Sequence, residues 1–244
     1  MNQSAFHAFS GDQKEAFMNH YEKSYFDWQK NMGAFGAEAN LFLFGSHVQP
    51  RHRVIDFGSG GGYLLARLEC AEKIGVELNP VAREHAAASG VRTVAFTREI
   101  PDGWADVVIS CHALEHTHSP LDEIRRLRGK LKRGGSAIFV VPCERRNPWA
   151  PNDINQHLFT WSEMNLGNLF STAGYRVLEV GEIKHKWPPR YYTIRKYFGA
   201  KLFHRACQLY AVLTPNLTQI RIVAVNDELT TRGAQTAIQG GAEE

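Results

Sequence analysis

Val54-Ile55-Asp56-Phe57-Gly58-Ser59-Gly60-Gly61-Gly62-Tyr63-Leu64-Leu65 sets a strand, a glycine loop and a helix start in immediate succession. That order decides the fold class. Glycines without Cβ let a backbone approach a ligand closely, and the free N–H groups of a helix start favour an anionic group. The spacing is GxGxG, and Tyr63 stands where the third glycine of the GxGxxG dinucleotide fingerprint would fall, which argues against NAD.

Two acids frame the loop. Asp56 lies two residues before the first glycine, where a carboxylate would repel a pyrophosphate but can accept from the ammonium of a methionine moiety. Glu77 ends the next strand candidate, the place from which an acid in such folds bonds both ribose hydroxyls. Outward from here, short apolar runs alternate with amphipathic segments, the pattern of parallel strands joined by crossover helices. The strand candidates are Val54-Ile55, Lys73 to Glu77, Val91 to Phe96, Asp106 to Ser110 and Ala137 to Val141. A helix is expected over Pro120 to Leu131, ended by Gly134-Gly135, and another over Trp161 to Ala173, ended by Gly174. Tyr175 to Val180 and Gln219 to Val225 are two further strands.

The sequence resembles the class I S-adenosylmethionine-dependent methyltransferases through DFGSGGG at Asp56 to Gly62, GVELNP at Gly75 to Pro80, DVVISCHALEH at Asp106 to His116 and LKRGG at Leu131 to Gly135. The likeness covers roughly Arg53 to Val180. It implies an α/β, Rossmann-like seven-stranded sheet with helices on both faces and the last strand antiparallel. Cofactor contacts are expected from Asp56, Gly58, Ser59, Gly60, Gly62, Glu77, Leu78 and His112. The third strand is followed by TREIPDG, which lacks the family's acid-plus-small-residue pair at the adenine pocket and leaves Glu99 as the nearest candidate.

Methyl transfer from a sulfonium is an in-line displacement, so the enzyme aligns the acceptor and can add a base for a hydroxyl. His112, Glu115, His116 and His118 follow the fourth strand, at the sheet end where open α/β folds bind ligands. His116, His112 and, on the polar loop Asn152 to Trp161, His157 are the candidate bases. Glu115 and His116 match the acid and histidine with which the similar quinone-ring O-methyltransferases hold a cation, but His112 replaces the first acid, and no metal is assigned. The leading role for Glu115 is to hydrogen-bond the local turn or backbone near the cofactor, a role His116 can share, and the alternative for His157 is to sit exposed at a helix entry capped by Thr160 or Ser162.

Between the last two strands, 184–218 holds seven lysines and arginines, no acid and many aromatics. That surface suits a phosphate-bearing acceptor, although membrane or RNA contact would look alike. The HKWPPR turn at His185 to Arg190 is a candidate part of the acceptor pocket. Ser110-Cys111-His112-Ala113 stands where amino-group methyltransferases of RNA carry an asparagine- or aspartate-proline-proline-aromatic motif, which argues against a base amine.

A length of 244 residues suits one α/β domain with appendages. The expected layout is an N-terminal helical lid at 1–52, the methyltransferase domain at 53–225 with the basic insertion, and a disordered tail at 226–244. No apolar run reaches the roughly 20 residues of a membrane span, no secretory signal opens the chain, and the four cysteines form no CxxC pair. A cytoplasmic enzyme is expected, with a small-molecule or glycan acceptor, no DNA partner and an undetermined oligomeric state. O-methylation of a sugar is the leading expectation. A quinone or other small molecule is the alternative, and a protein that binds the cofactor without turnover the third.

Overall fold

A computed structural model describes residues 23–144, 155–214 and 218–227, with side chains from Met32 onward. Seven strands form one sheet: β1 (Arg53–Phe57), β2 (Glu72–Val76), β3 (Thr93–Val94), β4 (Ala105–Cys111), β5 (Leu131–Cys143), β6 (Arg176–Ile183) and β7 (Thr218–Val225). Their spatial order is β3-β2-β1-β4-β5-β7-β6. β1 to β5 pair in parallel, and β7 runs antiparallel to both β5 and β6. The helices are α1 (Lys23–Asn40), α2 (Tyr63–Arg67), α3 (Pro80–Ala88), α4 (Pro120–Lys130), α5 (Glu163–Thr172) and α6 (Tyr191–Leu213).

Successive strand residues point to opposite faces, so each apolar run feeds two cores. Ile55, Val108, Phe139 and Ile222 face one way and bury Ile124 and Leu127 of α4 with Leu166 and Phe170 of α5. Val54, Val107, Ile109 and Val140 face the other way, against Leu64 and Leu65 of α2, Ala86 of α3 and the turn at Leu43 and Phe44. A third, smaller cluster joins Ala39 of α1 to Phe203 and Cys207 of α6, with Phe35 and Trp187 packed on it.

Local chemistry sets the boundaries. Asn79 caps α3, its side chain accepting from Val81 N–H, and Pro80 supplies the first helical position. Ser162 and Asn165 form a reciprocal capping box on α5, which settles the cap between Thr160 and Ser162; Thr160 Oγ1 instead accepts from Glu144 N–H. Gly174, at φ +92, ends α5 as expected. Two expectations need correction. α4 stops at Lys130 without its glycines; Gly134, at φ +77, and Gly135 lie inside β5, which begins at Leu131. The third strand shrinks from Val91 to Phe96 to two residues because Thr97–Glu99 turns into a 3-10 helix.

α1 and two 3-10 turns after it lie in the described part of the expected lid at 1–52; 1–22 lie outside the described residues. So do 152–154 of the polar loop and 228–244 of the expected tail. Among the described residues, no helix is long and apolar enough to cross a membrane.

Candidate active site

The carboxyl ends of β1, β4 and β5 open into a cleft of about 510 Å³. Asp56, Gly58, Ser59, Gly60 and Gly61 line one wall, and Cys111, His112, Glu115 and His116 a second. Glu144 and His157 close the far side, with Gly33, Gly36 and Asn40 of α1 and Lys186 and Trp187 of the insertion above.

The glycine loop follows from its backbone. Gly58, Gly60 and Gly62 take φ of +75, +52 and +76, values that a side chain strains. At Gly58 a Cβ would also fall 2.2 Å from Cβ of Ala113. N–H groups of Gly58 and Ser59 donate to Val76 O, which ties the loop to the end of β2. Gly62 turns the chain into α2 and packs toward Ala86 and Val91, so Gly61 reaches the cleft instead.

The Glu77 carboxylate accepts from Gly60 N–H and Asn79 N–H, both at 2.8 Å. Burial pushes its pKa up, against those bonds and the charge of Arg83. Asp56 is 2% exposed, and no basic side chain pairs with it among the described residues. Burial, followed by the charge of Glu77, raises its carboxyl to about 7. An acid held this way awaits a cation.

His112, at φ +55, is held by its N–H on Val140 O and turns its Nδ1 to 3.4 Å from Glu115 Oε1. Burial opposes charge on His112, yet the Glu115 carboxylate outweighs it and raises the imidazole's pKa; the Glu115 pKa drops in turn, despite burial, under the pull of His112. Glu115 is fully buried, its carboxylate facing His112 Nδ1 at 3.4 Å and His157 Nε2 at 3.9 Å. Its backbone carbonyl receives Leu158 and Phe159 N–H, which ties this turn to the segment carrying His157. His116 packs edge-on against His157, and His118 is exposed outside the cleft.

His157 Nδ1 lies 2.8 Å from Glu144 Oε2 and its Nε2 3.9 Å from Glu115 Oε1. It is not the exposed helix-entry histidine that the sequence alone also permits. One ligand atom each from Glu115, His116 and His157 falls within 4.8 Å of the others.

Leu78 is exposed just past the end of β2, its carbonyl accepting from Arg83. Glu99 is exposed and accepts from Phe96 N–H, capping its own turn rather than reaching the site. Glu144, Asn40 and Gln219 went unread in the sequence; only Glu144 had a signal, as an acid at the carboxyl end of a strand.

Comparison with known proteins places this geometry. A methyltransferase-domain family model matches residues 28–180. A ubiquinone biosynthesis O-methyltransferase of Roseobacter denitrificans is 36% identical over 109 residues, 39% of this chain and 42% of that protein. The chain thus spans less than half of that relative's length. An uncharacterised methyltransferase of Mycobacterium tuberculosis is 29% identical over 154 residues, 56% of this chain and 69% of that protein. In fold, the chain is similar to the geranyl diphosphate C-methyltransferase of Streptomyces coelicolor solved with S-adenosylhomocysteine, with a TM-score of 0.56, 15% identity, and coverage of 78% and 77%.

Proposed function

Since the chain belongs to the methyltransferase domain family and is an S-adenosylmethionine-dependent enzyme, we propose that it O-methylates a small molecule bearing a ring hydroxyl, with His157 as the base. The observation that carries this is the 2.8 Å contact between His157 Nδ1 and Glu144. A carboxylate oxygen can only accept there, so Nδ1 donates to Glu144 and Nε2 is the ring nitrogen turned toward Glu115 and the cleft, 3.9 Å from Glu115 Oε1.

The wall residues fit the cofactor. When bound, it supplies an electrophilic methyl on a sulfonium. Asp56 is a buried carboxylate in need of a cation, which the methionine ammonium provides. Glu77, held by two N–H donors, keeps lone pairs for ribose hydroxyls. Gly58, Ser59, Gly60 and Gly61 bring main chain close to the ligand, Gly62 shapes the turn behind them, and His112 stands between this wall and the acceptor side. His157 then takes the hydroxyl proton as the oxygen attacks, while α1 and Trp187 exclude water.

A ring hydroxyl is preferred here to the sugar or glycan expected from the sequence. Among the described residues, Lys186 is the one lysine or arginine lining the cleft, and its ammonium lies 5.5 Å from the Tyr210 ring centre, a poor setting for a phosphate-bearing acceptor. Aromatic and sulfur groups of Tyr63, Trp187 and Met32 share the lining, and the Roseobacter relative bears the name of a ubiquinone O-methyltransferase. Mass spectrometry of the chain with catechols, hydroxyquinones and sugar nucleotides tests this. Methylation of the ring hydroxyls is expected, and methylation of sugars alone would overturn it.

A second reading is favoured by the convergence of Glu115, His116 and His157, with the Glu115 carboxylate fully buried. These three side chains would hold a divalent cation, which would acidify the acceptor hydroxyl. Turnover that disappears with a chelator and returns with magnesium or zinc would select it over the metal-free base.

A further inference from the structure

We propose that the outer face of α6 docks on an anionic lipid bilayer. Of the fourteen large apolar side chains exposed among the described residues, seven lie on this one helix. After the break at Gly199 (φ +76, ψ 176), Phe203, Cys207 and Ala211 bury one side against α1 and the HKWPPR turn. Leu202, Leu209, Val212 and Leu213 stand on the opposite side, 47 to 70% exposed, and Tyr197 and Phe198 extend the surface before the break. A helix that is apolar on two sides needs two apolar neighbours, and the fold supplies one.

The charge identifies the other. Residues 184–218 carry seven cations and no anion, against +3 for the whole chain, so the remainder is net acidic. Lys201 and Arg205 flank the leucines, and among the described residues neither is ion-paired; Arg195 alone reaches Glu38. A second copy packed symmetrically, this face on the same face, would set like charge against like charge. RNA would leave the aliphatic Leu209, Val212 and Leu213 with nothing to stack on. Anionic headgroups over acyl chains satisfy both features, with the cations at the surface and the leucines below it. Lys186 and Trp187 lead into α6 and line the cleft, so docking places the cleft mouth beside the bilayer.

The docking face does not depend on the acceptor. The test is co-sedimentation of the full chain with phosphatidylcholine vesicles, with and without phosphatidylglycerol. The chain should pellet with the anionic vesicles and be released by salt. Lys201→Glu with Arg205→Glu, and separately Leu209→Asp with Leu213→Asp, should each lower the partition more than about tenfold. Affinity for S-adenosylhomocysteine should remain unchanged in both, which shows that the variants are folded. The proposal is overturned if the wild-type chain stays in the supernatant with both vesicle types or the variants pellet like wild type. A concentration-dependent dimer abolished by the same substitutions would assign the face to a second copy instead.

Discussion

Asp56 carries the sharpest energetic consequence. Its pKa of about 7 in the folded chain stands above the 3.8 of an ordinary aspartate, so its contribution to stability is complete below about pH 3.8 and is lost as pH rises through 7. Asp56→Asn should therefore raise the melting temperature of the cofactor-free protein at pH 8, by about 2–4 °C for each kcal/mol relieved. The same substitution should weaken S-adenosylhomocysteine binding, since the amide cannot neutralise an ammonium. A thermal melt that falls, or does not move, would show that the carboxylate is already compensated. His157 has a different signature: His157→Ala should cut kcat by about a hundred- to ten-thousandfold while leaving cofactor affinity intact, and Glu144→Gln should follow it in direction. Unchanged turnover in rapid-quench assays would make this pair structural only.

Among the elements, the glycine loop and α6 behave differently because they belong to different cores. Gly58→Ala forces a Cβ into that of Ala113 at a φ of +75, and should abolish cofactor binding in equilibrium dialysis even where the fold survives. Phe203 is fully buried in the small cluster that ties α6 to α1, apart from the two sheet cores. Its replacement by alanine should cost about 3–5 kcal/mol of that contact and release α6 to limited proteolysis before the sheet melts. His185 reinforces the same contact, with Nε2 3.0 Å from His204 Nδ1. Burial, then the charge of His204, lowers its pKa to about 4 from 6.5, so this stability is full above 6.5 and falls away as pH drops toward 4. The strands of the sheet and the acid at the end of β2 were legible because period-two apolar runs and a glycine turn are local signals. What the sequence hid is what packing decides. The Glu144 to His157 bond joins residues thirteen apart in the chain, Asn40 and Trp187 reach the cleft only because α1 and the insertion pack over it, and three consecutive glycines do not reveal that Gly61 lines the cleft while Gly62 faces α3. The misplaced end of α4 has the same origin: Gly134-Gly135 reads as a helix stop, yet pairing with β4 begins at Leu131.

In the whole molecule, the parallel strands β1, β4 and β5 set the glycine-loop wall and the His112 to His116 wall of the cleft at the same strand ends, and α1 and the insertion complete its lining. α1 packs over α2, where a Cβ on Gly33 would meet the Tyr63 ring at 2.8 Å, and α6 holds α1 from outside. The most direct measurement is calorimetric titration of S-adenosylhomocysteine into the wild-type chain, Asp56→Asn and Glu77→Gln. Micromolar binding to wild type, weakened at least about tenfold in each variant, is the result expected when charge-assisted bonds worth about 1.5 to 3 kcal/mol are lost. Equal affinity in all three would contradict the placement of the cofactor against these two carboxylates.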